Sequence, residues 1–376
     1  MGARDVTEEH RASTPLELLF DLCFVVAVSR AASLLHHAES AGHAGTAIVS
    51  YLFVFFAIWW AWVNFTWFAS AYDNDDVVYR LLVLVQIAGV LILAAGVPDA
   101  FRHHTIDTVV VGYLVMRAGL VTLWLRAGRH DSVRLTTTRR YALGESLCMV
   151  GWVGLALLGA PLWSFLPMMA VEMLVPAWAE SAAITPWHPE HIAERYGLFT
   201  LIVLGETILS SSVAFQAVVD ADQADVTAIL TAVGAILTVF AMWWLYFGKP
   251  HADALEGGRV AFVWGYVHYV VFASAAAVGA GVAVVVDSVV GHAHTSDHAA
   301  AAAFTVPVIL YVLAVLFLQS YLHGRQPDRV VAFVVALALV GAATFTGQPV
   351  LLTGVVLAVL VGVLVAMHER DTTPVE

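Results

Sequence analysis

Residues 14–35 read TPLELLFDLCFVVAVSRAASLL, an apolar stretch long enough to cross a bilayer as one helix, which takes about 20 residues. Two acids, Glu17 and Asp21, lie in its first turns, and Arg30 lies further along. Residues four apart share a helix face, so the two acids are stacked, whereas Arg30 lies on the opposite side of the helix from Asp21. A charge at mid-helix costs about 2.5 to 3.5 kcal/mol. We therefore expect Asp21 to avoid lipid and to have a partner, water or a proton.

The whole chain has the composition of a membrane protein. Of its 376 residues, 60% are hydrophobic and 12% are charged, and the mean hydropathy is +0.83. An ordinary soluble domain has about 25% charged residues. Runs such as LLVLVQIAGVLILAAGV at 81–97 are apolar all round, whereas the strands of a membrane barrel alternate. The sequence therefore predicts an all-α polytopic membrane protein.

We predict about twelve membrane-spanning helices from the apolar runs, and the last two are the shortest. Cys23 and Cys148 fall within predicted helices, so we expect small core residues and no disulfide. The predicted spans are 16–36, 46–70, 78–97, 106–126, 141–159, 161–180, 192–218, 226–247, 259–286, 301–323, 329–345 and 349–367.

The basic residues predict the orientation, because Lys and Arg collect in cytoplasmic loops. With the N-terminus inside, thirteen basic residues from Arg4 to Arg370 fall in cytoplasmic segments and Arg102 alone falls outside. The remaining three, Arg30, Arg117 and Arg195, fall inside or at the ends of helices. Both termini are therefore expected to be cytoplasmic, with the first helix retained and not cleaved as a signal.

Landmarks repeat at about half the chain length. The acid at Glu17 recurs at Glu194, the tryptophan pair at 59–60 recurs at 243–244, and Arg80 recurs at Arg259. We interpret these as a duplication with one six-helix half in residues 1–185 and another in 186–376. Two halves of six helices have the same orientation, related by an axis along the membrane normal.

The seventh predicted helix, HIAERYGLFTLIVLGETILSSS at 191–212, has a second intramembrane acid. Ser210 is one turn from Glu206 on the same face, and Arg195 lies about 20° away around the helix. Duplication would bring the first and seventh helices together, with Glu17 or Asp21 in salt-bridge or water-bridge reach of Arg195 or of another buried basic group. Glu206 is either a protonatable or ion-coordinating site, or a residue that only holds helices together by hydrogen bonds.

Two segments, ELLFDLCFVVAV and ERYGLFTLIVLGETI, resemble the signature segments of the bacterial low temperature requirement protein A family, LtrA. The resemblance implies a multi-pass protein of the bacterial inner membrane. The name of the family refers to a cold-growth phenotype and not to a reaction. The matching residues are Glu17, Phe20, Asp21, Phe24, Glu194, Arg195, Gly197, Phe199, Gly205 and Glu206.

Three functions fit these observations. The first is a transporter or channel for a proton, cation or small solute, and we place its pathway at Glu17, Asp21, Glu194, Arg195, Glu206 and Ser210. The second is a structural or sensory membrane protein. The third is an enzyme acting on membrane lipid through His188, His191 and Glu194, disfavoured because nucleotide-binding, hydrolase and haem motifs are lacking.

Other features have simpler interpretations. We expect no cofactor, no resident metal and no nucleic acid partner, while membrane lipid surrounds the chain. The crowded histidines of the predicted outer loop, His292, His294 and His298, form a polar loop, with a metal or pH-sensing site as the alternative. The Trp-rich segment FAIWWAWVNFTWF at 56–68 supplies interface anchors and helix packing, with an aromatic-lined pathway as the alternative.

The charge asymmetry gives a test of the topology. A reporter enzyme fused after residue 295 should lie on the outer side of the membrane. An even number of spans separates that loop from the outer end of the first helix. Fusions at the two termini should report the cytoplasm. A cytoplasmic signal after residue 295 would show that the number of spans is wrong.

Overall fold

The computed structural model describes residues 12–220, 226–249, 252, 255 and 258–372. In these ranges the chain forms twelve α-helices and one short 3-10 turn, Leu162–Ser164, and no strand. The helices are α1 Pro15–Ser40, α2 Ala44–Tyr72, α3 Val77–His103, α4 Asp107–His130, α5 Leu135–Leu157, α6 Phe165–Glu180, α7 Pro189–Asp220, α8 Val226–Phe247, α9 Gly258–Val289, α10 Asp297–His323, α11 Pro327–Ala343 and α12 Pro349–Thr372.

The predicted all-α membrane architecture is confirmed, since each predicted span falls on one of these helices. In the described ranges, ten helices are long and apolar enough to cross a bilayer. The other two are α5, which has Arg139, Arg140 and Glu145, and α11, which has 17 residues. Arg4 and Arg11, which the topology argument uses, lie outside the described residues.

Local sequence signals set several helix starts. Proline is the first residue of α1, α7, α11 and α12, the position where its missing N–H is not needed. Asp76 precedes α3 and accepts the backbone N–H of Tyr79 at 2.9 Å. The Arg126 guanidinium also donates to Asp76, and these hydrogen bonds hold the pKa of that carboxyl at about 2, below its ordinary 3.8. Its ion pair with Arg126 is therefore fully formed above about pH 4.

The helices form two compact units. The first takes residues up to Ala31 together with Ser50–Tyr196, and the second takes Ala32–Val49 and the residues from Gly197 onward. Helices α1, α2 and α7 each contribute to both units. In the first unit α3 packs on α4, α4 on α5 and α5 on α6. In the second, α9 packs on α10, α8 on α12 and α11 on α12. The predicted duplication into two six-helix halves stays a prediction.

Small residues allow the closest helix contacts. In the first unit, a Cβ placed on Gly112 of α4 would lie 2.6 Å from the backbone nitrogen of Leu93 and 2.7 Å from the carbonyl of Gly89. In the second unit, α9 is buried at every position from Val271 to Val286, a run of mostly Ala, Gly and Val. Such positions let helix backbones approach, as is common in membranes.

The α3–α4 contact gives a test of this packing. Gly112→Ala should lower the free energy of unfolding by about 1 to 3 kcal/mol, because the added methyl meets backbone atoms that cannot rotate away. Thermal unfolding of the purified protein in detergent would measure the loss.

Gly154→Ala in α5 is the matched control, since no described atom outside its own stretch of helix lies within 4 Å of its added Cβ. That variant should be neutral or gain up to about 1 kcal/mol from helix propensity. Equal melting temperatures for both variants would contradict the proposed close contact.

Candidate functional site

The first acid of α1 is fixed by the way the helix begins. The backbone N–H of Thr14 donates to Oε2 of Glu17 at 2.8 Å, and the N–H of Glu17 donates to Oγ1 of Thr14 at 3.3 Å. This reciprocal pair is a capping box, which the T-x-x-E spacing encodes. Glu17 is therefore held in the first turn of the helix.

The two faces of α1 differ in polarity and burial, as expected for a helix that spans a membrane. Glu17 and Asp21 are completely buried, whereas Leu19, Leu22 and Val26 are about half exposed. Apolar side chains suit a lipid-facing surface, and intramembrane charges belong in the protein interior. The burial of both acids agrees with the expectation that they avoid lipid.

Arg195 of α7 pairs with both acids. Its Nη2 lies 2.6 Å from Oδ1 of Asp21, and its Nη1 lies 3.4 Å from Oε1 of Glu17. All three side chains are fully buried. The predicted ion pair between the first and seventh helices is confirmed.

Two further side chains complete this site. His191, one turn before Arg195 on α7, places Nε2 at 3.2 Å from Oε1 of Glu17. Trp62 of α2 donates its indole N–H to Oδ1 of Asp21 at 2.7 Å. We call these five residues the α1–α7 cluster. It has two carboxylates, one guanidinium and one imidazole, so its charges balance when His191 is protonated and one acid is in excess when it is not.

The other predicted pathway residues lie outside this cluster. Glu194 is half-buried, and its Oε2 accepts the backbone N–H of Ser13 at 2.9 Å. In the second unit, Glu206 is buried and accepts the hydroxyl of Ser210 at 3.0 Å, which agrees with their predicted position on one face of the helix. Their role in a pathway stays a prediction.

A second buried charge cluster was missed by the sequence analysis. Arg117 of α4 places Nη2 at 2.7 Å from Oε2 of Glu172 on α6. The same carboxylate accepts the indole N–H groups of Trp60 at 2.8 Å and Trp152 at 3.0 Å. Glu145 of α5 interacts electrostatically with Arg117. We call Arg117, Glu145 and Glu172 the α4–α6 cluster.

A cavity of about 70 Å³ lies in the first unit with Glu172 in its lining. Its other walls are mainly apolar and include Phe53, Phe56, Tyr113 and Trp152. Among the described residues that line it, Glu172 is the one with a formal charge. This volume is large enough for several waters, since one water needs about 10 to 15 Å³, but its mainly apolar walls offer few polar partners.

Opposite charges in the fourth and sixth predicted spans were the signal that could have revealed the second cluster. Arg117 stands in GYLVMRAGLV at 112–121 and Glu172 in MMAVEMLVP at 168–176. Arg117 was predicted only to fall inside or at the end of a helix. Trp60 and Trp62 were expected to pack or anchor the helix at the interface, and the structure adds a hydrogen bond from each to a buried carboxylate.

Metal binding has no geometric support in the described ranges. No group of three or more His, Cys, Asp or Glu side chains there is arranged to hold a metal ion. Both cysteines are free, with Cys148 buried and Cys23 partly so.

The α1–α7 cluster should dominate the stability of the first unit. Arg195→Gln should lower the free energy of unfolding by about 3 to 5 kcal/mol, because it leaves two buried acids without their cation. Arg30→Gln is the control on α1, where the side chain is exposed. Chemical unfolding in detergent would compare them, and equal stability of the two variants would show that Arg195 is not needed to neutralise these acids.

Comparison with known proteins agrees with the signature segments around this cluster. A 266-residue alignment with a Rhizobium meliloti (strain 1021) protein named "Uncharacterized protein RA0937" is 28% identical and covers 67% of this chain and 62% of that protein. The chain thus spans less than two thirds of that relative. The model of the family described as "Bacterial low temperature requirement A protein (LtrA)" matches residues 12–366. The chain therefore belongs to the LtrA family.

Proposed function

We propose that this LtrA-family membrane protein conducts a proton, a cation or a small solute across the bacterial inner membrane, with both termini in the cytoplasm. The observation that carries the proposal is the α1–α7 cluster. Its two acids, Arg195 and His191 are buried in helices long and apolar enough to span a bilayer. Ionisable groups at such depth are costly to insert, and they mark ion and proton pathways in many membrane proteins.

The composition of the cluster favours a proton or a cation. Asp21 and Glu17 share Arg195, and His191 is the group whose ordinary pKa is nearest to neutral pH. Gain or loss of one proton at His191 changes the net charge of the cluster by one. That change alters how strongly Arg195 and the acids hold each other, which is the property that a gated pathway needs.

Glu206 and Ser210 are the proposed pathway residues of the second unit. Glu206 is buried and has an adjacent hydroxyl, a pair of oxygen-bearing groups that suits a proton or a hard cation.

A structural or sensory role is the second candidate. The observation that favours it is the direct pairing of Arg195 with both Asp21 and Glu17, because a paired set of charges can fix helix positions without conducting anything. An enzyme built on His188, His191 and Glu194 has less support, since His191 is fully buried against Glu17 and Glu194 accepts a backbone N–H.

Flux measurements separate these roles. Purified protein in proteoliposomes with an internal pH dye should dissipate an imposed pH or cation gradient. Asp21→Asn and Glu206→Gln should each reduce the flux by at least about tenfold, because a hydrogen bond to a charged group contributes about 1.5 to 3 kcal/mol. Asp75→Asn, in an exposed turn before α3, should retain the full flux.

The variants must first be shown to be folded, by circular dichroism and by a single peak in size-exclusion chromatography. Proteoliposomes without flux of protons, alkali cations or small organic solutes would favour the structural role. Full flux in both acid variants would contradict the proposed pathway.

A further inference from the structure

The α4–α6 cluster holds ionisable groups that the proposed pathway does not use. Arg117, Glu145 and Glu172 come from three consecutive helices and are 4%, 1% and 1% exposed. A buried arginine paired with one acid would by itself be a neutral structural contact. Glu145 adds a second acid, so the cluster has two carboxyl groups and one guanidinium.

The charges of the cluster do not balance when both acids are ionised. Helix α5 packs against α4 and α6, and the ionisable side chains that face Glu145 from them are Arg117 and Glu172, with Cys148 on α5 itself nearby. Arginine stays protonated in proteins, and a thiol is ordinarily neutral at neutral pH. Two carboxylates and one guanidinium leave one uncompensated negative charge away from water, which is strongly disfavoured.

The hydrogen bonds distinguish the two acids. Glu172 accepts three N–H groups, from Arg117, Trp60 and Trp152, and donors of this kind stabilise an ionised carboxylate. Glu145 accepts one, from Trp124 to Oε1 at 3.0 Å. Within the described part of the chain, Oε2 of Glu145 has no hydrogen-bond partner.

We propose that Glu145 is a proton-binding site, with its carboxyl protonated on Oε2 while Arg117 is paired with Glu172. The unpartnered oxygen takes the proton, and Oε1 remains the carbonyl that accepts from Trp124. If Arg117 moves its ion pair from Glu172 to Glu145, the proton of Glu145 passes to Glu172, so the cluster keeps one proton and one ion pair. Nη1 of Arg117, which is also without a partner among the described residues, is the donor available to Glu145. The site exists whether or not the chain transports anything.

Infrared spectroscopy of the purified full chain in lipid tests for the proton directly. A protonated carboxyl has a C=O stretching band that an ionised carboxylate lacks. The difference spectrum between wild type and Glu145→Gln at neutral pH should contain this band, which should move on transfer to D₂O. A difference spectrum that contains only the bands of an ionised carboxylate would overturn the proposal.

Two tryptophan variants assign the band without removing either acid. Trp124→Phe deletes the hydrogen bond to Oε1 of Glu145, so the C=O band should shift to higher frequency. Trp152→Phe deletes a hydrogen bond to Glu172 and should leave the band in place. A band that stays fixed in Trp124→Phe, or that shifts in Trp152→Phe, would show that the proton is not on Glu145. Neither measurement depends on flux, so failure of the proposed transport would leave this result intact.

Discussion

The ion pair of Arg195 with Asp21 and Glu17 is the interaction on which the first unit depends. A bilayer offers no water to solvate a charge, so an acid in a spanning helix must find its partner inside the protein. The capping box at Thr14 fixes the start of α1, and Arg195 fixes which face of α1 turns inward. The exposed leucines of the same helix then face outward without any further requirement.

Tryptophan side chains supply hydrogen bonds to several buried carboxylates in this unit. Trp60, Trp62, Trp124 and Trp152 each donate an indole N–H to a buried carboxylate. The indole ring has a large apolar surface and one neutral donor, so it supplies a hydrogen bond without adding a charge. The acids are thereby stabilised by donors that themselves cost little to bury. This chemistry accounts for the burial of Trp60 and Trp62 in the Trp-rich segment of α2.

In the second unit, small residues of α9 provide close helix packing. Helix α9 is buried over a long run of small residues, and its contacts are mostly close packing. Its polar contacts include hydroxyl groups that donate to backbone carbonyls, as Thr207 does to Ala275 at 2.8 Å. Buried ion pairs and small-residue packing are alternative ways to hold helices where the hydrophobic effect does not drive them together. The first unit uses both, with the ion pairs of Arg117 and Arg195 and the close contact at Gly112.

The sequence by itself determined the helices, since the length of an apolar run is a local property of each segment and does not depend on the rest of the chain. It also predicted the Arg195 partnership, because two motifs half a chain apart placed opposite charges at similar depth. Only the tertiary structure decided that Glu172 meets Arg117 and that Glu145 stands beside them, because α4, α5 and α6 have independent rotations about their axes that no single segment specifies. The direction in which each tryptophan points was decided in the same way, since an indole finds its carboxylate only when two neighbouring helices are packed.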